Sequence, residues 1–148
     1  MGNRAVISTG DKPNDIGVYL HWNGGRASVQ GFLDACKAAG YRDPTSDPAY
    51  GMARLCAAVC AYFGLDGETS VGIGTVSKLD CNNFDNGLYI LGPGWTIAKR
   101  KYHKGAEEVD AGKTAEIAAE TLKAIGDASA RRTAEIAKSW QSAVAKAR

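Results

Sequence analysis

The sequence predicts an α+β protein: a small antiparallel sheet of about five strands with two helices packed on it, plus a long C-terminal helix. Short runs rich in Val, Ile and Tyr alternate with turn formers, as strands do. Two stretches of the first half space their apolar residues as helices do. Proline is absent from the Ala-, Glu- and Lys-rich last third. We therefore assign residues 1–104 to an α+β ligand-binding domain and residues 105–148 to an amphipathic helix for oligomerisation.

The first two strands are predicted over residues 3–9 and 16–22. The segment between them, Gly10–Asp15, is dense in turn-forming residues. An antiparallel hairpin is the simplest arrangement that joins two strands through such a segment.

Two helices are predicted after this hairpin. Ser28 is the expected N-cap of the first helix, since apolar residues follow at helical spacing and Gly40 ends the run. Those apolar residues are Val29, Phe32, Leu33 and Cys36. Asp47 is expected to cap the second helix, with Pro48 at its first position and Gly64 at its end.

Three further strands are predicted over residues 71–76, 88–91 and 95–100. A polar segment, Leu79–Asn86, precedes the second of them. Its end, Asp85-Asn86-Gly87, is typical of a tight turn.

The long helix is amphipathic and has unlike charges at its two ends. Two lysines against six acidic residues give residues 107–127 a net charge of −4, and residues 131–148 carry a net +4. Two copies would therefore be complementary if they ran antiparallel, which predicts homo-oligomerisation; a membrane-surface helix is the alternative. The stripe consists of Ala115, Ala118, Leu122, Ile125, Ser129, Thr133, Ile136, Trp140 and Val144.

Composition narrows the functional classes. A net charge of +2 over 148 residues argues against binding of duplex nucleic acid. No apolar run approaches the ~20 residues of a membrane span, and no signal-peptide core is present, so we expect a cytoplasmic protein without a membrane partner. Four cysteines without CxxC spacing or a neighbouring histidine are expected to be free thiols: Cys36, Cys56, Cys60 and Cys81.

Two loops contain residue types that bind phosphate and bases. Gly24 and Gly25 let backbone N–H groups approach a ligand at the start of a helix, and Arg26 adds a cation suited to phosphate. The alternative is a glycine turn that serves only the fold. Asn83, Phe84 and Asp85 in the second loop, with Trp22 and Arg100, offer hydrogen-bonding groups, stacking faces and a further cation.

Catalytic signatures are few. The two histidines, His21 and His103, are far apart in sequence, and no metal-ligand spacing, P-loop or nucleophile elbow occurs. We therefore expect a binding protein with no metal and no cofactor, and not an enzyme. The alternative is an acid–base pair of His21 with Asp80 or Asp85.

Three segments resemble a family of phage proteins, the first type of Thoeris anti-defence protein. They are Tyr-Leu-His-Trp-Asn-Gly-Gly-Arg (19–26), Tyr-Gly-Met-Ala-Arg-Leu (50–55) and Leu-Asp-Cys-Asn-Asn-Phe-Asp-Asn-Gly (79–87), together with Gly-Trp-x-Ile-x-x-Arg ending at Arg100. The resemblance covers about residues 2–102 and not the sequence of the C-terminal helix.

The resemblance implies a sponge in the host bacterial cytoplasm. Such proteins bind cyclic ADP-ribose isomers, and in some members cyclic oligonucleotides, without cleaving them, and assemble as dimers or hexamers. By motif position it implies one pocket containing Arg54, Asn83, Asp85 and Arg100, and a second, phosphate-facing site at Gly24, Gly25 and Arg26. A hydrolase of such nucleotides and an oligomeric adaptor protein are the alternatives.

Overall fold

A computed structural model describes residues 2–64, 70–105 and 109–147, apart from the side chain of residue 132, and has the predicted α+β fold. Five strands, a short 3-10 turn and three helices occur in these ranges. In chain order they are β1 (Ala5–Ser8), β2 (Ile16–Leu20), α1 (Arg26–Ala38), α2 (Pro48–Phe63), β3 (Val71–Thr75), the 3-10 turn (Val76–Lys78), β4 (Leu88–Gly92), β5 (Thr96–Lys101) and α3 (Ala111–Ala147).

The sheet has the predicted five strands but is mixed, not antiparallel throughout. Its order is β3-β2-β1-β4-β5, and the central pair, β1 with β4, is parallel. The other three pairs are antiparallel, including the predicted β1–β2 hairpin. The chain leaves β3 at one edge and crosses to the far side of β1 before it enters β4. A connection of about a dozen residues suffices for such a parallel pairing.

The capping residue of α2 is the predicted one, whereas that of α1 differs from the prediction. The Asp47 carboxylate accepts a hydrogen bond from the Tyr50 N–H, so it caps α2 as predicted. Helix α1 begins at Arg26 with Gly25 as its N-cap, which corrects the prediction that Ser28 is the cap. Ser28 is buried inside the first turn. Arg26 is consequently a residue of the helix and not of the preceding loop.

The main core lies between one face of the sheet and helices α1 and α2. Strand residues such as Ile7, Leu20 and Tyr89 meet Phe32 of α1 and Leu55 of α2, and all five are fully buried. The opposite face carries a smaller apolar cluster around Val6, Cys81 and Leu88. The crossover before β4 contributes to this cluster.

The first part of α3 belongs to the core. Ile117 and Thr121 are buried against α1, and the Thr121 hydroxyl donates to the Ile117 carbonyl. Gly31 makes this contact possible, because a Cβ there would lie 2.7 Å from Ile117. The buried face thus includes Ile117 and Thr121, whereas the predicted stripe residue Leu122 is 39% exposed.

The second part of α3 projects from the body of the protein. Every described side chain from residue 126 to residue 147 is exposed. The whole helix has 37 residues and is about 55 Å long at 1.5 Å per residue. None of the described helices is both long enough and apolar enough to cross a membrane.

All four cysteines are free thiols, as predicted. Cys36 is fully buried among apolar side chains, and this burial raises the pKa of its thiol to about 12. A thiol with so high a pKa is not a nucleophile at neutral pH. Its position therefore fits packing and not chemistry.

Candidate functional site

A cavity of about 400 Å³ lies at the N-terminus of α1. It brings together the Gly-Gly-Arg segment, the end of β5 and the start of α3, which are far apart in sequence. Its lining consists of Asn3, Gly25, Arg26, Ala27, Ser28, Asn86, Arg100, His103, Asp110 and Lys113. Its volume is within the range of about 300–1,000 Å³ typical of pockets for small molecules.

The floor of this cavity is the first turn of α1. The first N–H groups of a helix have no partner within the helix, and the helix dipole adds partial positive charge there. Gly25 supplies no capping side chain, and no acidic residue lies in the first turn. A helix N-terminus of this kind favours an anion beside it.

The two glycines before the helix have different roles. Gly24 donates its N–H to the Asn3 carbonyl, and a Cβ at this position would lie 2.6–2.7 Å from atoms of Asn3, Arg4 and Ala5. Gly25 has room for a side chain, since the nearest atom to its added Cβ, in Asn3, is 3.8 Å away. Gly24 thus serves the fold, whereas Gly25 lies at the cavity.

Buried Tyr89 connects the glycine segment to the arginine of β5. Its hydroxyl donates to the Gly24 carbonyl at 2.9 Å, and the Arg100 guanidinium lies over its ring, 4.3 Å from the ring centre. Arg100 Nη2 also donates to the Asn86 carbonyl at 2.9 Å. These contacts fix the position of the Arg100 head at the cavity wall, next to the start of α1.

The charged side chains of the lining are mainly basic. Among the described residues, Arg26, Arg100 and Lys113 face one carboxylate, Asp110. Asp110 accepts a hydrogen bond from the Lys113 N–H at the N-terminus of α3, so its negative charge is partly offset by that helix end. The cavity therefore suits a ligand with more than one negative charge.

His103 is the most unusual residue of the lining. Both of its ring nitrogens are buried, and neither has a hydrogen-bond partner among the described residues. Buried polar atoms in proteins nearly always have a partner. A ligand atom in the cavity would supply one, since an imidazole nitrogen can donate or accept a hydrogen bond.

Asn83 organises a turn in the segment that leads into β4. It is buried, its amide nitrogen donates to the carbonyls of Asp80 and Gly87, and its amide oxygen accepts from the N–H groups of Asp85 and Gly87. All four hydrogen bonds lie within the segment that leads into β4. Asn83 has a structural role in this turn.

We expect Asn83→Ala to lower the free energy of unfolding by about 1–3 kcal/mol, because backbone groups of the turn lose their partners. Urea unfolding monitored by circular dichroism measures this change. Phe84→Ala is the matched control: Phe84 is 83% exposed, so its loss should change stability by less than about 0.5 kcal/mol. Equal stability of the two variants would contradict the structural role of Asn83.

Asp85 forms an ion pair with Arg4. Its carboxylate accepts from Arg4 Nε at 2.8 Å and from the Arg4 N–H at 3.1 Å. The hydrogen bond from the Arg4 guanidinium lowers the pKa of Asp85 below its ordinary value, so the carboxylate is charged at neutral pH. This ion pair lies outside the lining of the cavity, as do exposed Phe84 and Trp22.

Arg54 lies in a second cavity, of about 370 Å³, between α2 and α3. Its guanidinium is 5.6 Å from the ring centre of Tyr41 and 5.0 Å from that of Tyr50. Arg54 and Arg100 therefore do not share a cavity within one chain. The structure instead brings Arg100 together with Gly25 and Arg26.

Among the described residues, no hydrogen bond joins His21 to Asp80 or Asp85. His21 Nδ1 lies 3.2 Å from the Tyr19 hydroxyl, and the His21 ring packs edge-on against Trp22. Asp80 and Asp85 both form ion pairs with Arg4 instead. Among the described residues there is also no cluster of His, Cys, Asp and Glu that could hold a metal ion.

Two residues of the lining carry no sequence signal that could have identified them: His103 and Lys113. Each is an isolated polar residue in a segment with no motif, whereas Asn86 belongs to a predicted turn whose sequence does not indicate a ligand. Their place in the cavity follows from the pairing of β4 with β5 and from the packing of α3 on α1.

Together, the fold and the lining define a small α+β protein with a mainly basic cavity at the N-terminus of α1. No protein family, curated protein or solved structure matches the chain.

Proposed function

We propose that the protein binds and sequesters a small nucleotide through its phosphate groups. The observation that carries this proposal is the convergence of Arg26, Arg100 and Lys113 on the first turn of α1, next to the unpaired nitrogens of His103. Guanidinium groups and a helix N-terminus are the commonest protein partners of phosphate. A pyrophosphate, with two charges, suits this lining better than a single carboxylate.

Within this class, the ligand we favour is a cyclic ADP-ribose isomer, with cyclic oligonucleotides as further candidates. This choice rests on the motif resemblance to the Thoeris anti-defence proteins, whose Gly-Gly-Arg segment coincides with the cavity. The biological role would be that of a phage protein in the host bacterial cytoplasm, which captures an immune signal before the signal reaches its effector.

The implied second pocket is part of the same proposal. Arg54 lies in the cavity between α2 and α3, away from Arg100. A ligand held by both arginines would therefore have to lie between two copies of the chain. This arrangement fits the proposed dimer or hexamer.

Sequestration without cleavage is favoured by the chemistry of the cavity lining. Its acidic side chain, Asp110, caps α3, and its remaining charged groups are cations. Hydrolysis of a phosphoanhydride needs a positioned water or another nucleophile. His103 or Asp110 could accept a proton from such a water, which keeps a hydrolase as the alternative function.

A release experiment tests the proposal. The protein is incubated with a cyclic ADP-ribose isomer, free ligand is removed by filtration, and the retained protein is heated. Chromatography of the released material should return the intact ligand in an amount close to that of the protein.

Two other outcomes would contradict it. An altered nucleotide after heating would identify a hydrolase. If the concentration of free ligand does not fall with this isomer or with cyclic oligonucleotides, the protein is not a nucleotide sponge. An adaptor that binds protein then becomes the better explanation.

A further inference from the structure

An unusual backbone conformation precedes His103. Strand β5 ends at Lys101, and Tyr102 then has a φ of +60°, in the left-handed region that residues with a side chain rarely adopt. The chain bends at Tyr102, and His103 lines the cavity beside the first turn of α1. Backbone conformations of this kind cost free energy and cluster at functional sites. The position of His103 therefore indicates a role in binding.

The ring of His103 has polar atoms that the described part of the chain does not satisfy. Both nitrogens are buried, and neither has a hydrogen-bond partner among the described residues. The residue as a whole is only partly buried. A half-turn about its Cβ–Cγ bond exchanges the nitrogens with ring carbons and leaves the backbone in place. The ring can thus present its nitrogens to a ligand.

The charged groups of the lining do not bind the ring themselves. The Asp110 carboxylate accepts a hydrogen bond from the Lys113 N–H instead. Arg26, Arg100 and Lys113 are cations, which donate hydrogen bonds and do not accept them. A phosphate attracted by these three cations brings the acceptor that the ring lacks.

A neutral imidazole needs two different partners. One nitrogen carries a hydrogen to donate, and the other has a lone pair that accepts. A phosphate oxygen satisfies the first nitrogen only, because a phosphodiester or pyrophosphate bridge has no hydrogen to donate. The second nitrogen needs a donor, which in a nucleotide is a sugar hydroxyl or an amino group of the base.

The shape of the ring favours the hydroxyl as this donor. The two nitrogens point to opposite edges of the ring, so with hydrogen bonds of about 2.8 Å their partners lie roughly 7 Å apart. The 5′-phosphate oxygens of a ribonucleotide and its ribose hydroxyls are separated by a comparable distance. The amino group of adenine is usually farther from the phosphate.

We propose that His103 makes the cavity specific for ribose-containing ligands: one ring nitrogen donates to a phosphate oxygen, and the other accepts from a ribose hydroxyl. This inference rests on the phosphate binding proposed above and adds the chemical class of the bound unit, a ribose 5′-phosphate. A ligand without this hydroxyl leaves the second nitrogen unpaired. Sites built to bind a hydroxyl reject analogues that lack it for this reason.

Calorimetry tests the inference with a cyclic ADP-ribose isomer and its deoxy analogues, each of which lacks one ribose hydroxyl. One analogue should bind the wild type at least about tenfold more weakly than the parent isomer. His103→Phe should bind the parent isomer at least about tenfold more weakly than the wild type does, and should no longer distinguish it from that analogue. If a cyclic oligonucleotide is the ligand, its 2′-deoxy form replaces these analogues and the same results are expected.

Two further variants complete the design. His21→Phe is the matched control, because it replaces the other histidine of the chain, which does not line the cavity, and it should bind as the wild type does. His103→Gln keeps a donor for phosphate but has its donor and acceptor side by side at one end. It should recover part of the affinity for the parent isomer without the preference for the hydroxyl.

The stability of His103→Phe separates a role in binding from a role in packing. Phenylalanine has a ring of similar shape without the two unpaired nitrogens, so the urea midpoint should stay the same or rise. A fall in the midpoint, with the same loss of affinity for the parent isomer and for every analogue, would show that His103 only supports the fold.

The outcomes distinguish this inference from the proposed function. If the wild type binds the parent ligand and all of its deoxy forms equally well, the inference is overturned and the phosphate site stands. A His103→Phe variant that still prefers the parent ligand would overturn it too. If the wild type binds neither the isomer nor a cyclic oligonucleotide, the proposed function fails, and this inference fails with it.

Discussion

Replacement of Arg100 by alanine is expected to weaken binding of a cyclic ADP-ribose isomer by at least about tenfold, or about 1.4 kcal/mol. The guanidinium is held over the ring of Tyr89 and bonded to the Asn86 carbonyl, so it is pre-positioned at the cavity. A pre-positioned cation loses little side-chain entropy when it binds phosphate. Isothermal titration calorimetry measures the affinity of each variant.

Lys99→Ala is the matched control for Arg100→Ala. Lys99 precedes Arg100 on β5, is exposed and does not line the cavity, so its loss removes the same charge from the same strand. Arg100→Lys should recover only part of the affinity, because an ammonium group cannot bind phosphate in a bidentate manner. Equal affinities for the wild type and Arg100→Ala would remove Arg100 from the site.

We expect alanine at Gly24 to lower the stability of the fold, and alanine at Gly25 to weaken ligand binding while the fold stays stable. At Gly24 the added Cβ meets the backbone of Asn3 and Arg4 at 2.6–2.7 Å. We expect the free energy of unfolding to fall by about 3 kcal/mol, at the upper end of the cost of overpacking. At Gly25 the same methyl group meets only the Asn3 side chain, at 3.8 Å, so stability should change by less than about 1 kcal/mol.

Ligand affinity is the property that Gly25→Ala should change. The Gly25→Ala methyl group stands next to the first turn of α1, where the phosphate is proposed to bind, and should weaken binding by about tenfold. Urea unfolding gives the stability and calorimetry the affinity of both variants. A stable Gly24→Ala protein, or a Gly25→Ala protein that binds normally, would contradict the roles assigned to the two glycines.

Local signals predicted much of the fold. The turn formers of Gly10–Asp15 predicted the first hairpin, and the Asp47-Pro48 pair predicted the start of α2, because each rests on chemistry within a few residues. The parallel pairing of β1 with β4 could not be predicted in this way. It depends on where the crossover before β4 passes, and no local pattern encodes that path.

Only the part of the candidate site whose residues are neighbours in the chain could be predicted from the sequence. Gly25 and Arg26 lie together in sequence and also line one cavity. Arg100 joins them because β4 and β5 pair beside β1, whereas the family resemblance implies a pocket that contains Arg100 and Arg54. Asn83 contains the groups of a ligand-binding residue, but the turn uses all of its hydrogen-bonding capacity.

The apolar residues of α3 form two separate faces that follow the same helical period. The predicted stripe treated the apolar residues of α3 as one face. In the structure, Ile117 and Thr121 are buried, while Leu122, Ile136 and Trp140 are exposed. Helical spacing alone could not distinguish these faces, because both follow the same period.

The most direct test of the account is a crystal structure of the protein with a bound cyclic ADP-ribose isomer. We predict that a phosphate lies at the first turn of α1, within hydrogen-bonding distance of Arg26 and Arg100 and next to the ring of His103. A ligand bound elsewhere, with no phosphate contact to Arg26 or Arg100, would contradict it.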